Sequence, residues 1–441
     1  MSIAAIESLD HEGRGIARAE GKTVFVEGAL PGETVEYEVW RAKPGYDQAR
    51  ATRIVRASAQ RVAPRCPHFG VCGGCSLQHL DPLAQTAVKQ RVMEDAFRHI
   101  AGIRPEIIFP AISGPVWGYR HRARLGVRRV PGRGGMLVGF HEKRSSYIAD
   151  LGVCPVLPPR VSAMLPALHE LADALSIRDR VPQIEMAIGE SGNGRPVTVL
   201  VFRHLLPFSA ADVARLAAFG AARDVEIWRQ PDKPESARPL EGKGGADGAE
   251  LTYSLPEYDL RLVFRPTDFT QVNIHTNRLL IRRAVQWLDP RPCERIADLF
   301  CGLGNFTLPI ARRGASVTGV EGSDALVARA TANARANGLD AHVRIYAVNL
   351  FETTADSLAA LGPFDKMLLD PPREGAIAVV KAISRAQSPW RIVYVSCNPA
   401  TLARDAAVLV REKGYTLRRA GIVNMFAHTS HVETVALFER S

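Results

Sequence analysis

Asp298-Leu299-Phe300-Cys301-Gly302-Leu303-Gly304-Asn305-Phe306 is the stretch that decides the reading of this chain. It follows a short apolar strand and opens a helix. Glycines at 302 and 304 let the backbone turn sharply and approach a ligand closely. A Gly-x-Gly alone is weak evidence. It gains weight from Gly319-Val320-Glu321, where a second strand ends in a carboxylate 23 residues after Asp298. An acid at that place accepts the hydroxyls of a nucleoside ribose. A dinucleotide site would carry the longer Gly-x-Gly-x-x-Gly, which cradles a pyrophosphate at a helix N-terminus. Here Asn305-Phe306 stand in place of the third glycine. That fits a nucleoside cofactor lacking phosphates, such as S-adenosylmethionine.

Working outward, a third strand supplies Asn349 near its end and a fourth ends in Asp370-Pro371-Pro372-Arg373. From residue 266 to 441 strands alternate with helices, the pattern of a parallel α/β sheet. Polar side chains at successive strand ends make a ligand site at one edge of such a sheet. The apolar run Ile392-Val393-Tyr394-Val395 reads as a buried strand, followed by Ser396-Cys397-Asn398-Pro399. A helix is expected over 399–413, with Asn398 as N-cap, proline at its first position and Gly414 past its end. Cys397 then lies on a strand-to-helix turn beside a helix N-terminus, where aligned peptide dipoles favour a thiolate.

Upstream the pattern changes. Residues 1–57 alternate apolar and polar positions in short runs, such as Thr23-Val24-Phe25-Val26 and Thr34-Val35-Glu36-Tyr37-Glu38-Val39, separated by Pro31-Gly32. That predicts a small β-barrel, a fold that binds single-stranded or irregular RNA or serves as an adaptor. Residues 58–265 read as a mixed α+β domain, with a candidate strand at Pro196-Val197-Thr198-Val199-Leu200-Val201-Phe202 and a glycine-rich surface loop, Glu241-Gly242-Lys243-Gly244-Gly245.

At 441 residues, 46% hydrophobic and 23% charged, the chain is globular and long enough for two or three domains. No apolar run approaches the roughly 18 residues that span a bilayer. The N-terminus lacks a basic segment followed by an apolar core, so no secretory signal is expected and a cytoplasmic protein is. A net charge of +10 points to a polyanionic partner. Arginines concentrate in Tyr119-Arg120-His121-Arg122-Ala123-Arg124 and Arg128-Arg129, where guanidinium groups suit phosphates. Nucleic acid is the favoured partner; charge does not choose RNA over DNA.

Seven cysteines, an odd number, argue against a disulfide framework. Cys66, Cys72 and Cys75 are separated by five and two residues, and 78 residues intervene before Cys154. Four thiolates hold either a tetrahedral zinc or an iron–sulfur cubane, and spacing alone does not decide.

Five motifs in order resemble one family. They are Phe269-Thr270-Gln271-Val272-Asn273, the 298–306 loop, Asp370-Pro371-Pro372-Arg373, Ser396-Cys397-Asn398-Pro399 and His431-Val432-Glu433-Thr434. Together they resemble the RNA (uracil-5-)-methyltransferases acting on 23S ribosomal RNA, and the resemblance covers nearly the whole chain. It implies a class I, Rossmann-like methyltransferase domain at 266–441, a TRAM barrel at 1–57 and a [4Fe–4S] cluster on Cys66, Cys72, Cys75 and Cys154. Gln271, Phe300, Asn305, Glu321, Asn349 and Asp370 would contact S-adenosylmethionine. Cys397 would be the nucleophile and Glu433 the base that removes the C5 proton. Without its motif, Glu433 reads as a surface carboxylate on an edge strand. Two alternatives accompany this reading: methylation of tRNA uridine 54, and a non-catalytic RNA-binding or ribosome assembly factor.

Overall fold

The computed structural model describes residues 2–130, 132, 134–240, 251–384 and 388–440. The glycine-rich loop expected at 241–245 lies outside them. Three sheets organise the chain. The first has six strands from Ser2–Ala5 to Tyr46–Arg56, built by alternation: Val24, Val26, Val35 and Tyr37 point into its own apolar cluster while their neighbours face out. Gly32, at φ +79°, makes the turn into the Thr34–Ala42 strand.

The second sheet runs through the middle of the chain. Gln183–Glu190 and Pro196–Arg203 form its central antiparallel pair, and Leu251–Leu255 with Leu260–Phe264 lie on one flank. Arg122–Arg129 also pairs with Gln183–Glu190. This pairing consumes part of the expected phosphate-binding cluster: Arg122 and Arg124 both turn to Glu185, at 3.7 and 2.9 Å, and Arg120 lies over the Phe140 ring. Two of the clustered guanidinium groups are therefore paired with a carboxylate, while Arg128 and Arg129 are exposed.

The third sheet places Val343–Ala347, Ser316–Glu321, Arg295–Leu299, Lys366–Leu369 and Arg391–Ser396 side by side and parallel. Glu433–Arg440 then inserts antiparallel between Arg391–Ser396 and Tyr415–Val423. This is the doubly wound arrangement expected of the class I fold. The strands are near-continuous apolar runs because helices cover both faces. One is Pro399–Arg411, capped by the Asn398 side chain as the sequence implied. The stretch 82–112 packs here too: Pro82–Ala96 lies near Pro399–Arg411, and Ile107–Ile108 adds a short parallel strand beside Tyr415–Val423.

Candidate active site

The carboxyl ends of the parallel strands, and the start of the antiparallel Glu433–Arg440 strand, converge on one edge of the third sheet. The loop after Arg295–Leu299 makes its turn with Phe300 at φ +65°, Gly302 at +55° and Gly304 at +99°. Phe300 and Cys301 both donate their N–H groups to the Val320 carbonyl, at 2.8 and 3.0 Å, which welds the loop to the neighbouring strand. Glu321 closes that strand as expected. One carboxylate oxygen accepts from Gly302 N at 3.1 Å and the other from Ser323 N at 3.0 Å, so its orientation is fixed while lone pairs remain. Asn349 caps a short turn through Phe351 N, and the Phe351 ring approaches Phe300 with centroids 5.7 Å apart. Glu321, Asn349 and the aromatic pair thus face one end of the edge with polar and planar groups, the elements a nucleoside needs.

Asn305 is held more tightly than its motif suggests. Its Oδ1 accepts from Tyr253 Oη at 2.9 Å and from Asn277 Nδ2 at 2.9 Å, and its Nδ2 donates to Asn277 Oδ1 at 3.1 Å. One Nδ2 hydrogen is left for a ligand. Tyr253 and Asn277 escaped the sequence reading. Tyr253 lies in the central region, which the motifs do not cover, and Asn277 is one turn into a helix. Gln271 lines a cleft of about 220 Å³ together with Tyr253, His275, Asn277 and Arg278, which joins it to this network.

Three acids, Asp298, Asp370 and Glu433, follow one another along the edge, the first and last of them buried. Asp298, fully buried on Arg295–Leu299, accepts from Thr307 Oγ1 at 2.5 Å, and its other oxygen has no partner among the described residues. Burial, with Glu321 nearby, pushes its carboxyl up to about 7. Burial, with Asp298 beside it, pushes Asp370 up to about 8. Glu433 is 3% exposed and is raised well above the usual range by burial and by Asp370. It is no edge-strand surface group, because its strand has a partner on each side.

Cys397 completes the row. Ser396 pairs with Thr434 across the two strands, so the turn carrying Cys397 adjoins the start of the strand carrying Glu433. The thiol is pushed up to about 12, first by burial and then by Glu433 and Asp370, with Arg373 acting in the opposite sense. This corrects the expectation of a thiolate favoured by the helix N-terminus. Two nearby N–H donors are already taken, Asn398 N by Ser396 Oγ at 3.1 Å and Ala400 N by Asn398 Oδ1 at 3.0 Å, and the N–H of Cys397 itself, which favours the thiolate, is outweighed. What remains is a desolvated sulfur among acids. The Asp370-Pro371-Pro372-Arg373 loop is tied to the same helix, since Asn398 Nδ2 and Thr401 Oγ1 each donate to the Arg373 carbonyl at 3.1 Å.

Cys66, Cys72, Cys75 and Cys154 are free thiols that share one neighbourhood. Cys72 and Cys75 pack on the apolar cluster that contains Cys154. Burial raises all four, Cys75 to about 11 and Cys154 to about 12, and Cys75 and Cys154 are raised further by charge on the other cysteines. The donor set is chemically suited to a thiophilic metal group. Yet no group of three or more His, Cys, Asp or Glu side chains among the described residues has the arrangement to hold a metal ion. No helix among them is long and apolar enough to cross a membrane.

Known proteins fall in line with this geometry. A TRAM domain model matches residues 4–52, and a tRNA (Uracil-5-)-methyltransferase model matches residues 249–441. The chain shares its fold, at a TM-score of 0.72 and 24% identity over 99% of this chain and 100% of the other, with Pyrococcus abyssi tRNA (uracil-54, C5)-methyltransferase. A protein of Azoarcus sp. (strain BH72), named 23S rRNA (uracil(1939)-C(5))-methyltransferase RlmD, is 69% identical over 100% of both chains. One of the same name from Dechloromonas aromatica (strain RCB) is 58% identical, again over 100% of both. Identity of that order over the full length has one meaning: the chain belongs to the 23S rRNA (uracil-C5)-methyltransferase family.

Proposed function

We propose that the protein methylates C5 of a uridine in 23S ribosomal RNA, with S-adenosylmethionine as donor, Cys397 as nucleophile and Glu433 as base. The observation that carries the reading is the pairing of two strand ends: a half-buried thiol on one and a buried carboxyl on the next, electrostatically coupled and flanked by Asp370 and Arg373.

The chemistry calls for these two groups. C5 of uracil is a poor nucleophile. Once Cys397 has lost its proton, its sulfur adds to C6, and the C5–C6 π electrons move into an enolate whose density lies at C5. The cofactor, when bound, supplies an electrophilic methyl on a sulfonium sulfur. That methyl would pass to C5 as its bond to sulfur breaks and leaves the electron pair on the sulfur, and Glu433, once ionised, then removes the C5 proton. The electrons of the broken C–H bond restore the C5–C6 double bond and expel the Cys397 sulfur. A positive charge arriving beside the site favours the ionised form of Cys397, Asp370 and Asp298 alike, so the raised values belong to the site before it is filled.

On this reading Gln271, Phe300, Asn305, Glu321, Asn349 and Asp370 bind the cofactor. The 1–57 barrel and the 58–265 domain supply RNA surface, and 266–441 is the catalytic unit. The location is cytoplasmic, with the ribosome. On the same reading Cys66, Cys72, Cys75 and Cys154 hold a [4Fe–4S] cluster; supporting it are their free thiols and the packing of Cys72 and Cys75 on the apolar cluster that contains Cys154. The test is nucleoside mass spectrometry of 23S rRNA and tRNA from cells with and without the gene. Loss of 5-methyluridine from 23S rRNA alone is the expected result. Loss from tRNA would keep the chemistry and overturn the substrate, and no loss from either would return the assembly-factor reading.

A further inference from the structure

The segment bearing Cys66, Cys72 and Cys75 runs directly onto the loop, residues 424–432, that leads into Glu433. Ser76 N and Leu77 N both donate to the His428 carbonyl at 2.9 Å, and Ser430 N donates back to Ser76 Oγ at 2.9 Å. Gln85, fully buried on Pro82–Ala96, binds both sides of the junction. Its Nε2 donates to the Leu77 and Leu80 carbonyls at 3.0 and 2.8 Å and lies 3.1 Å from His428 Nδ1, while its Oε1 accepts from His428 N at 2.9 Å. One turn later Lys89, also buried, donates to Asn424 Oδ1 and to the Phe426 carbonyl, each at 2.8 Å. Tyr119 Oη donates to the Ala427 carbonyl at 2.9 Å, and Trp117 stacks on the His428 ring with centroids 3.8 Å apart.

His428 adopts φ +66°, a conformation that costs a non-glycine residue energy and persists where the surroundings impose it. Here the surroundings are the cysteine segment and the Pro82–Ala96 helix. A loop shaped only by its own two strands would need neither. The loop's far end is Glu433, whose carboxyl is useful only if it stays within reach of the C5 proton while Cys397 is bonded to C6. Displacements of about 1 Å in such a group cost on the order of 10²-fold in rate.

We propose that Ser76, Gln85 and Lys89 are positioning residues for Glu433, and that the 424–432 loop keeps its shape only while the four-cysteine segment is intact. The inference rests on the assignment of Glu433 as base. It makes the cysteine site a structural determinant of the catalytic step, acting through backbone amides and not through the substrate.

The experiment uses the full-length protein as isolated and reads two quantities: hydrogen exchange of amides 426–431, and steady-state methylation of a 23S rRNA fragment. Ser76→Ala is expected to speed that exchange about tenfold and to lower kcat about tenfold, with KM for S-adenosylmethionine within about twofold of the parent. Ser76→Thr, which keeps the hydroxyl acceptor, should restore both. Cys66→Ser, which touches none of these loop contacts, should speed exchange of the same amides. Gln85→Glu keeps the acceptor for His428 N and removes the donor to Leu77 and Leu80. It is read in the same way should Ser76→Ala fail to fold. Unchanged exchange in Ser76→Ala and Cys66→Ser overturns the proposal, as does a Ser76→Thr protein as impaired as Ser76→Ala. A parent enzyme that methylates no uracil would sink the assignment of function instead, while the exchange measurement still judges the hold on the loop.

Discussion

Cys397 and the four-cysteine segment both carry partly or wholly buried thiols, and they differ in their company. Cys397 sits among carboxyl groups, Glu433 and Asp370 foremost, while Cys66, Cys72, Cys75 and Cys154 sit among one another. Burial raises the sulfur pKa in both places. Each site is therefore costly to ionise as it stands, and each becomes reactive or binding-competent when a cationic guest arrives. On the proposed reading the guest at the sheet edge is a sulfonium, and the guest at the cysteine segment a metal cluster. On that reading Cys397 need not be activated in the free enzyme, because a cation arriving beside the sulfur lowers its proton affinity.

The largest effect should come from removing the lone thiol. Cys397→Ala should cut 5-methyluridine formation by a factor on the order of 10⁴ or more, with RNA affinity within about twofold of the parent; substantial residual methylation would end the comparison at once. Glu433→Gln should slow turnover by about 10²- to 10⁴-fold while leaving attack intact. A covalent protein–RNA adduct should then accumulate on a denaturing gel, and its absence would remove Glu433 from the step after methyl transfer. The other thiol group should answer differently. Cys154→Ser should lower bound iron and reduce the melting temperature by about 5 °C, whereas Cys397→Ala should leave both unchanged.

A smaller effect is expected at Asn305. Tyr253→Phe removes one of the two donors that fix its amide, and cofactor affinity measured by calorimetry should weaken about fivefold. The smallest concerns proton linkage. Asp370 and Asp298 hold protons in the folded protein up to about 8 and 7, against about 4 when unfolded. Their contribution to stability is thus fully present below about pH 4 and lost as pH rises through 7 to 8. Thermal unfolding of the cofactor-free protein should show Asp370→Asn gaining on the parent over that rise. A parallel pair of curves would mean that Asp370 is not protonated in the fold.

Much of this was legible in the sequence where punctuation is strong. Gly302 and Gly304, the Asp370-Pro371-Pro372-Arg373 stop and the Asn398-Pro399 helix start all act locally, so their turns and caps are where they were expected. What the sequence hid depends on distant strand order. Nothing in Glu433 or its neighbours announces that the strand will insert between two others, which turns a surface carboxylate into a buried one. The proton affinity of Cys397 was misread for the same reason: the helix end is local, but the opposing acids come from other strands. Tyr253, from the second sheet, reaches Asn305 across a gap of 52 residues in sequence, and Glu185 captures Arg124 across 61. Neither pairing has a local signature.

Two pairings bracket the 424–432 loop: Val423 with Glu433 on one side, and Ser396 with Thr434 on the other. Side chains alternate between faces along a strand, so slipping this strand by one position would carry the Glu433 carboxyl to the opposite face. The loop is therefore a ruler whose length is set in whole residues. Most surface loops lengthen freely over evolutionary time. This one should tolerate changes of residue type far more readily than a single insertion or deletion, because an added residue has nowhere to go except into the register that aims the Glu433 carboxyl.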